Sequence, residues 1–146
     1  MKLLDVNILI YAINADAPLH AKARPWLEGI LSGRETVGFA WSVLLAFLRL
    51  STRAGVFTRA LTSEQAFAVI DSWLEQPSST ILHPGERHLR VLRELITPLG
   101  TGGNLASDAH LAALAIEHGA ELCSCDSDFA RFPGLQWRNP FADSNA

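Results

Sequence analysis

The sequence predicts an α/β protein, a three-layer α/β/α sandwich around a central parallel sheet of about five strands. Short apolar runs recur along the chain, each closed by turn residues, with helical stretches between them. Such runs suit parallel strands covered on both faces. In addition, Asp5, Asn7, Asp108, Asp126 and Asp128 stand where a strand-like run ends or a helix begins. Ligand sites of open α/β sheets lie at that edge.

The strands are expected at Lys2–Val6, Thr36–Ala40, Thr80–His83, Glu121–Cys125 and Leu135–Arg138. A first helix spans about Pro18 to Ser32, with Trp26, Leu27, Ile30 and Leu31 on its apolar side and Pro25 as a kink. Ser42 is placed to cap a helix over Val43–Ser51. Thr62 and Gln65 have capping-box spacing and open a helix that stops before Pro77. Glu86 to Ile96 forms another. Asn104 starts a strongly helical run to His118, with Gly119 placed for the left-handed turn that ends it. The resulting order is β-α-β-α-α-β-α-α-β-α-β, in one domain over residues 1–141 with a frayed tail over 142–146.

Bulk composition narrows the function classes. At 146 residues, 49% of them hydrophobic and 18% charged, the chain can bury one good core and is not of disordered type. No apolar run approaches the roughly 20 residues of a membrane span. MKLLDVNILIYAI is interrupted by Asp5 and Asn7 and no small-residue cleavage site follows, so it does not read as a secretion signal, and a cytoplasmic protein is expected. A net charge of −3 argues against broad electrostatic attraction to nucleic acid, although an acidic site contributes to that balance. Ten arginines against two lysines favour bidentate contact with phosphate or carboxylate. Cys123 and Cys125, two apart on a strand, are at the long limit for a disulfide and complete no zinc site, so they read as reduced core cysteines.

Each acid has an ordinary structural use. Asp and Asn are common at strand-to-helix turns, and Asp108 in a first helical turn complements the helix dipole. Asp108, however, shares a helical side with Leu105, Leu111, Ala112 and Ala115, where an unpaired carboxylate is costly and a cation would relieve it. Asp126 directly follows the fourth strand, with Ser124 on the same side. Asp128 either joins it or caps the short turn Phe129–Phe132. Carboxylates brought from distant segments are how a small α/β domain holds magnesium.

Three stretches, DVNILIYA, GTGGNLASDAHLAALAIEHGA and ELCSCDSDFARFPGL, resemble those of PIN-domain proteins and, more narrowly, the VapC toxins of type II toxin–antitoxin systems. The resemblance runs from about Met1 to Pro140. It implies a Mg2+- or Mn2+-dependent endoribonuclease that leaves 3′-hydroxyl and 5′-phosphate ends, forms a homodimer and is neutralised by a VapB-type antitoxin. By the same match Asp5, Asp108 and Asp126 correspond to the metal-site and catalytic acids, with Asn7, Ser124 and Asp128 supporting them. The chain departs from the family in WSVLLAFLRLSTR, where Ala46 occupies the position of a usual glutamate. Three aspartates suffice for one magnesium ion, while a second metal would be harder to hold.

Other features are weighed against plainer uses. Gly100-Thr101-Gly102-Gly103 precedes a helix but has no phosphate-loop spacing, and reads as a mobile loop. Arg49 and Arg53 follow Ala46 and are candidates for contact with RNA or an acidic antitoxin segment. Arg87, Arg90 and Arg93 read as a solvated face, the five histidines as structural or exposed, and the four tryptophans as core or dimer-interface residues. An aspartate-nucleophile phosphatase or receiver domain would need a downstream lysine, and none follows Lys22. The remaining alternative is a non-catalytic PIN-like module that binds RNA or antitoxin without cleaving.

Overall fold

In the computed structural model, which describes residues 1–100 and 102–142, the expected strands form as Lys2–Leu4 (β1), Val37–Phe39 (β2), Ser79–Ile81 (β3), Glu121–Cys123 (β4) and Trp137–Arg138 (β5). They make one parallel sheet in the order β3-β2-β1-β4-β5. The register pairs Leu3 with Gly38 on one side and with Leu122 on the other. The chain therefore winds outward from β1 through β2 to β3, then returns across the sheet to β4 and β5. The reversal falls between β1 and β4, whose carboxyl ends open a crevice.

Six helices flank the sheet among the described residues: Val6–Ile13 (α1), His20–Leu31 (α2), Trp41–Thr52 (α3), Ser63–Leu74 (α4), His88–Ile96 (α5) and Leu105–His118 (α6). Helix α1 packs on α2 and α3, and α3 on α4, while α5 packs on α6. The core between these layers is built from Leu3, Leu4, Leu9, Val37, Phe39, Leu44, Phe47, Leu114 and Leu122, all essentially inaccessible. Trp73 of α4 closes it, stacked on Phe39 with ring centroids 6.2 Å apart and edge-on to Phe47 at 4.8 Å.

Helix α1 was absent from the expected order. Its sequence, VNILIYAI, is apolar on nearly every side and has no polar face to betray a helical period. Ile8, Leu9, Ile10 and Ala12 are all buried. The expected Ser42 cap also fails. Extended, buried Ala40 carries the chain straight from β2 into α3, so Ser42 lies inside the first turn and no side chain caps the helix. The Thr62–Gln65 capping box forms in both directions, and Gly119 takes the left-handed conformation (φ 63°) at the end of α6. Pro25 sits inside α2. Thr101 and residues 143–146 lie outside the described residues, and with them most of the expected tail and part of the glycine loop.

Candidate metal centre at the carboxyl edge of the sheet

The crevice between β1 and β4 is where the acids gather. Asp5 follows β1 and is the N-cap of α1, its Oδ1 accepting the Val6 N–H at 2.7 Å. Ser124 follows β4, and its Oγ donates to Asp5 Oδ2 at 2.7 Å. Asn7, the second residue of α1, joins the two segments. Its Nδ2 reaches Ser124 Oγ at 3.1 Å and Asp5 Oδ2 at 3.3 Å, and its Oδ1 accepts the Cys125 N–H at 3.3 Å. Asn7 therefore ties strand ends together rather than capping a helix. Ser124 Oγ in turn accepts the Asp126 N–H at 3.0 Å, and Trp137 Nε1 donates to Ser124 O at 3.0 Å. Ser124 is fully buried, so each of these bonds acts away from bulk water.

Asp126 caps the short 3-10 turn Ser127–Arg131, its Oδ1 accepting the Asp128 N–H at 2.9 Å. The capping role allowed for Asp128 thus belongs to Asp126. Asp128 lies in the first turn of that element and pairs with Arg131 at 3.0 Å. Asp108 comes from the first turn of α6. Carboxylate oxygens of Asp108, Asp126 and Asp128 lie within 4.8 Å of one another, a spacing that suits a shared cation. Asp5 stands beside this trio without belonging to it.

Electrostatics separate the acids. Burial pushes the Asp5 carboxyl up, opposed by its bonds from Ser124 and the Val6 N–H, with the charge of Asp126 pushing it further up. Asp108 is also raised, by desolvation first and then by the negative charges of Asp126, Asp5 and Asp128, with Arg131 acting against them. Among the described residues, no arginine or lysine pairs with Asp5, Asp108 or Asp126. The carboxylates gathered at this edge offer hard oxygen ligands, the kind that magnesium and manganese prefer.

A cleft of about 440 Å³ opens beside Asp5 and Asp108. Ser42, Ala46 and Arg49 of α3 and His110 of α6 also line it. Ala46 thus shares a cleft with Asp5 and Asp108. Arg53 ends α3 exposed and is not among the residues lining the cleft. Arg87, Arg90 and Arg93 are all exposed, as a solvated face requires, and Arg87 also donates to Glu117 O at 3.1 Å at the end of α6. Cys123 and Cys125 are free thiols, pushed up by burial to about 12 and about 11 respectively.

One group escaped sequence reasoning. His88, His110 and Glu117 form a continuous hydrogen-bonded chain, a structural use of two histidines that no ligand spacing in the sequence marks. The available signal was the seven-residue spacing of His110 and Glu117 on one helix, two residues beyond Asp108.

The PIN domain family matches residues 2–135. Ribonuclease VapC37 of Mycobacterium tuberculosis is 49% identical over 140 residues, spanning 96% of this chain and 97% of its own length. The chain belongs to the VapC ribonucleases of the PIN-domain family. Ribonuclease VapC43 of the same organism is 41% identical over 140 residues, covering 96% of this chain and 95% of its own. Among solved structures, VapBC2 from Rickettsia felis bound to a promoter DNA fragment has a chain with a TM-score of 0.71 and 24% identity, covering 94% of this chain and 97% of that one. That likeness establishes the PIN-like fold of this VapC. No helix among the described residues is long and apolar enough to cross a membrane.

Proposed function

We propose that this VapC chain is a divalent-metal-dependent endoribonuclease, the toxin of a type II toxin–antitoxin pair, working at the carboxyl edge of its sheet. The observation that carries this reading is the convergence of four acids from three distant segments. Asp5 comes from the end of β1, Asp108 from the start of α6, and Asp126 and Asp128 from beyond β4. Three of them crowd their oxygens within 4.8 Å with one pendant arginine, on Asp128, as counter-charge. Such crowding is costly for bare carboxylates, and Mg2+ or Mn2+ fits an all-oxygen set of this kind.

Asp108 and Asp126 would hold the ion, with Asp5 and Asp128 binding directly or through water. A bound ion would supply Lewis-acid polarisation of a phosphodiester and activation of a water nucleophile. The chain's other residues set the geometry. Ser124 and Asn7 fix the Asp5 carboxylate in one rotamer, and the bond from the Asp128 N–H fixes Asp126. Arg49, which lines the same cleft, is placed to meet a phosphate of the RNA or an acidic side chain of the antitoxin. Arg53 is proposed only as a peripheral contact. The product ends would be a 3′-hydroxyl and a 5′-phosphate.

The partner reading follows the family. The Rickettsia felis relative was solved as a VapBC complex, and a VapB-type antitoxin is proposed for this chain. Homodimerisation is proposed as well. Trp41 and Leu45, one turn apart on α3 and 51% and 59% exposed, offer apolar surface for either contact. A cytoplasmic location and a single domain over residues 1–141 complete the proposal.

The test is cleavage of bulk bacterial RNA by purified chain with added Mg2+ or Mn2+, beside an Asp5→Asn variant. Metal-dependent cleavage that falls about 100-fold or more in the variant is expected, equivalent to losing several kcal/mol from the transition state. Undiminished cleavage in the variant would refute the site. RNA binding with no cleavage under any metal would favour the non-catalytic module.

A further inference from the structure

Helix α6 carries His110 and Glu117 seven residues apart, and the helical period sets them on one face two turns apart. The imidazole of His88, from α5, spans them. Its Nδ1 meets Glu117 Oε1 at 2.6 Å and its Nε2 meets His110 Nδ1 at 2.9 Å. Glu117 is fixed in turn, its Oε2 accepting the Gly85 N–H at 3.0 Å and its side chain only 6% exposed. The two rings meet edge to face, with centroids 4.8 Å apart and planes at 73°. An ionised carboxylate only accepts, so His88 Nδ1 carries a proton toward Glu117. With that proton on Nδ1, an uncharged His88 accepts the His110 Nδ1–H at its Nε2, which orients His110 and leaves its own Nε2 as an acceptor.

His110 ends this chain of bonds at the cleft, near Asp108, and its Nε2 has no hydrogen-bond partner among the described residues. Helix α5 already docks through buried Val91 and Leu95, so apolar contact alone does not account for two imidazoles in series. Ordering three polar side chains costs rotamer entropy, and here the ordered end is a single nitrogen in an acidic cleft. A ring held by its other nitrogen offers one contact in one direction. That suits the ribose of an RNA backbone, which repeats a 2′-hydroxyl donor at every nucleotide.

We propose that His110 contacts the RNA backbone in the cleft, with His88 and Glu117 as positioning residues behind it. The inference rests on the ribonuclease reading above. With the RNA that the wild type cuts, His110→Ala raises KM roughly tenfold, the worth of one hydrogen bond in a partly dry site, and leaves kcat within about threefold. His110→Gln keeps an acceptor, its Oε1, at similar reach and recovers most of the loss, while Glu117→Gln falls between. Mn2+ affinity measured by calorimetry stays unchanged in His110→Ala. An unchanged KM, a glutamine variant no better than alanine, or a loss that tracks weaker Mn2+ binding would each overturn the assignment.

A second measurement needs no variant. In metal-free wild-type protein with 15N-labelled histidine, adding the same RNA shifts the His110 ring signals and leaves those of His20 in place. Unmoved His110 signals on RNA that does bind would overturn the proposal even if the variants misfold. Wild-type protein that neither binds nor cuts RNA defeats the ribonuclease reading first, whereas cleavage left untouched in His110→Ala defeats this inference alone.

Discussion

Ser124 Oγ donates to Asp5 Oδ2 across 2.7 Å, joining residues 119 apart in sequence at the carboxyl ends of two neighbouring strands. The bond locks an acid raised by burial into one orientation and links its position to the backbone of the Asp126 segment. Ser124→Ala removes this bond and leaves the Asp126 N–H without its acceptor. Loss of a buried hydrogen-bonded hydroxyl costs about 1–3 kcal/mol of stability, and loss of an orienting partner costs roughly 10–100-fold in metal affinity or cleavage. Ser124→Thr retains the hydroxyl and is expected to keep more activity than alanine. Chemical denaturation and single-turnover cleavage check both expectations.

Asp108 gives a pH prediction whose sign follows from its environment. Burial and three neighbouring carboxylates raise it above the ordinary carboxylate value of 3.8. A raised acid costs folding stability when ionised, and that cost is relieved as pH falls through its folded value. Asp108→Asn therefore stabilises the metal-free protein at pH 7 and raises its Tm, by an amount that solvent screening of this partly exposed group keeps small. The gain shrinks as pH falls toward 4. Thermal melts from pH 4 to 7 in chelator test this, and a variant less stable at pH 7 would contradict it.

Ala46 of α3 lines the same cleft as Asp5 and Asp108. Ala46→Glu adds a carboxylate to that cleft. It is expected to tighten Mn2+ binding roughly tenfold, about 1.4 kcal/mol, the order of effect one added charge has in a partly hydrated site. Calorimetry on wild type and variant decides, with equal or weaker binding as the contrary result.

Gly38 lies in β2, where a Cβ would come 2.7 Å from Leu82 Cδ1 and 3.2 Å from Lys2 O. The Lys2 carbonyl belongs to β1 and cannot yield without disturbing the sheet. Gly38→Ala is expected to cost about 1–3 kcal/mol through overpacking. Urea denaturation measures it, and an unchanged midpoint would show that Leu82 moves aside freely.

The strands were legible because each short apolar run is closed by a polar or turn residue, and Asp5 and Ser124 mark the two ends that matter. The Thr62–Gln65 box and Gly119 were legible for a similar reason, since their bonds are local. Helix α1 was not, because a helix buried on nearly every side hides its period. The cap on α3 was misread because the turn out of β2 is made by Ala40, a residue with nothing to donate or accept in its side chain. At the candidate site the acids could be found one at a time, but not their spacing. That Asp128 crowds Asp108 and Asp126, with Asp5 standing beside them, depends on how the turn after β4 folds back. The Glu117–His88–His110 chain needs α5 laid against α6, a tertiary fact with no local signature at His88.

The most direct measurement is calorimetric titration of Mn2+ into metal-free wild-type protein, beside Asp108→Asn and Asp126→Asn. A saturable heat in the wild type that vanishes in both variants, with their folds intact by circular dichroism, is the predicted result. Binding of equal strength in all three proteins, or none in the wild type, would contradict a metal centre at the carboxyl edge of this sheet.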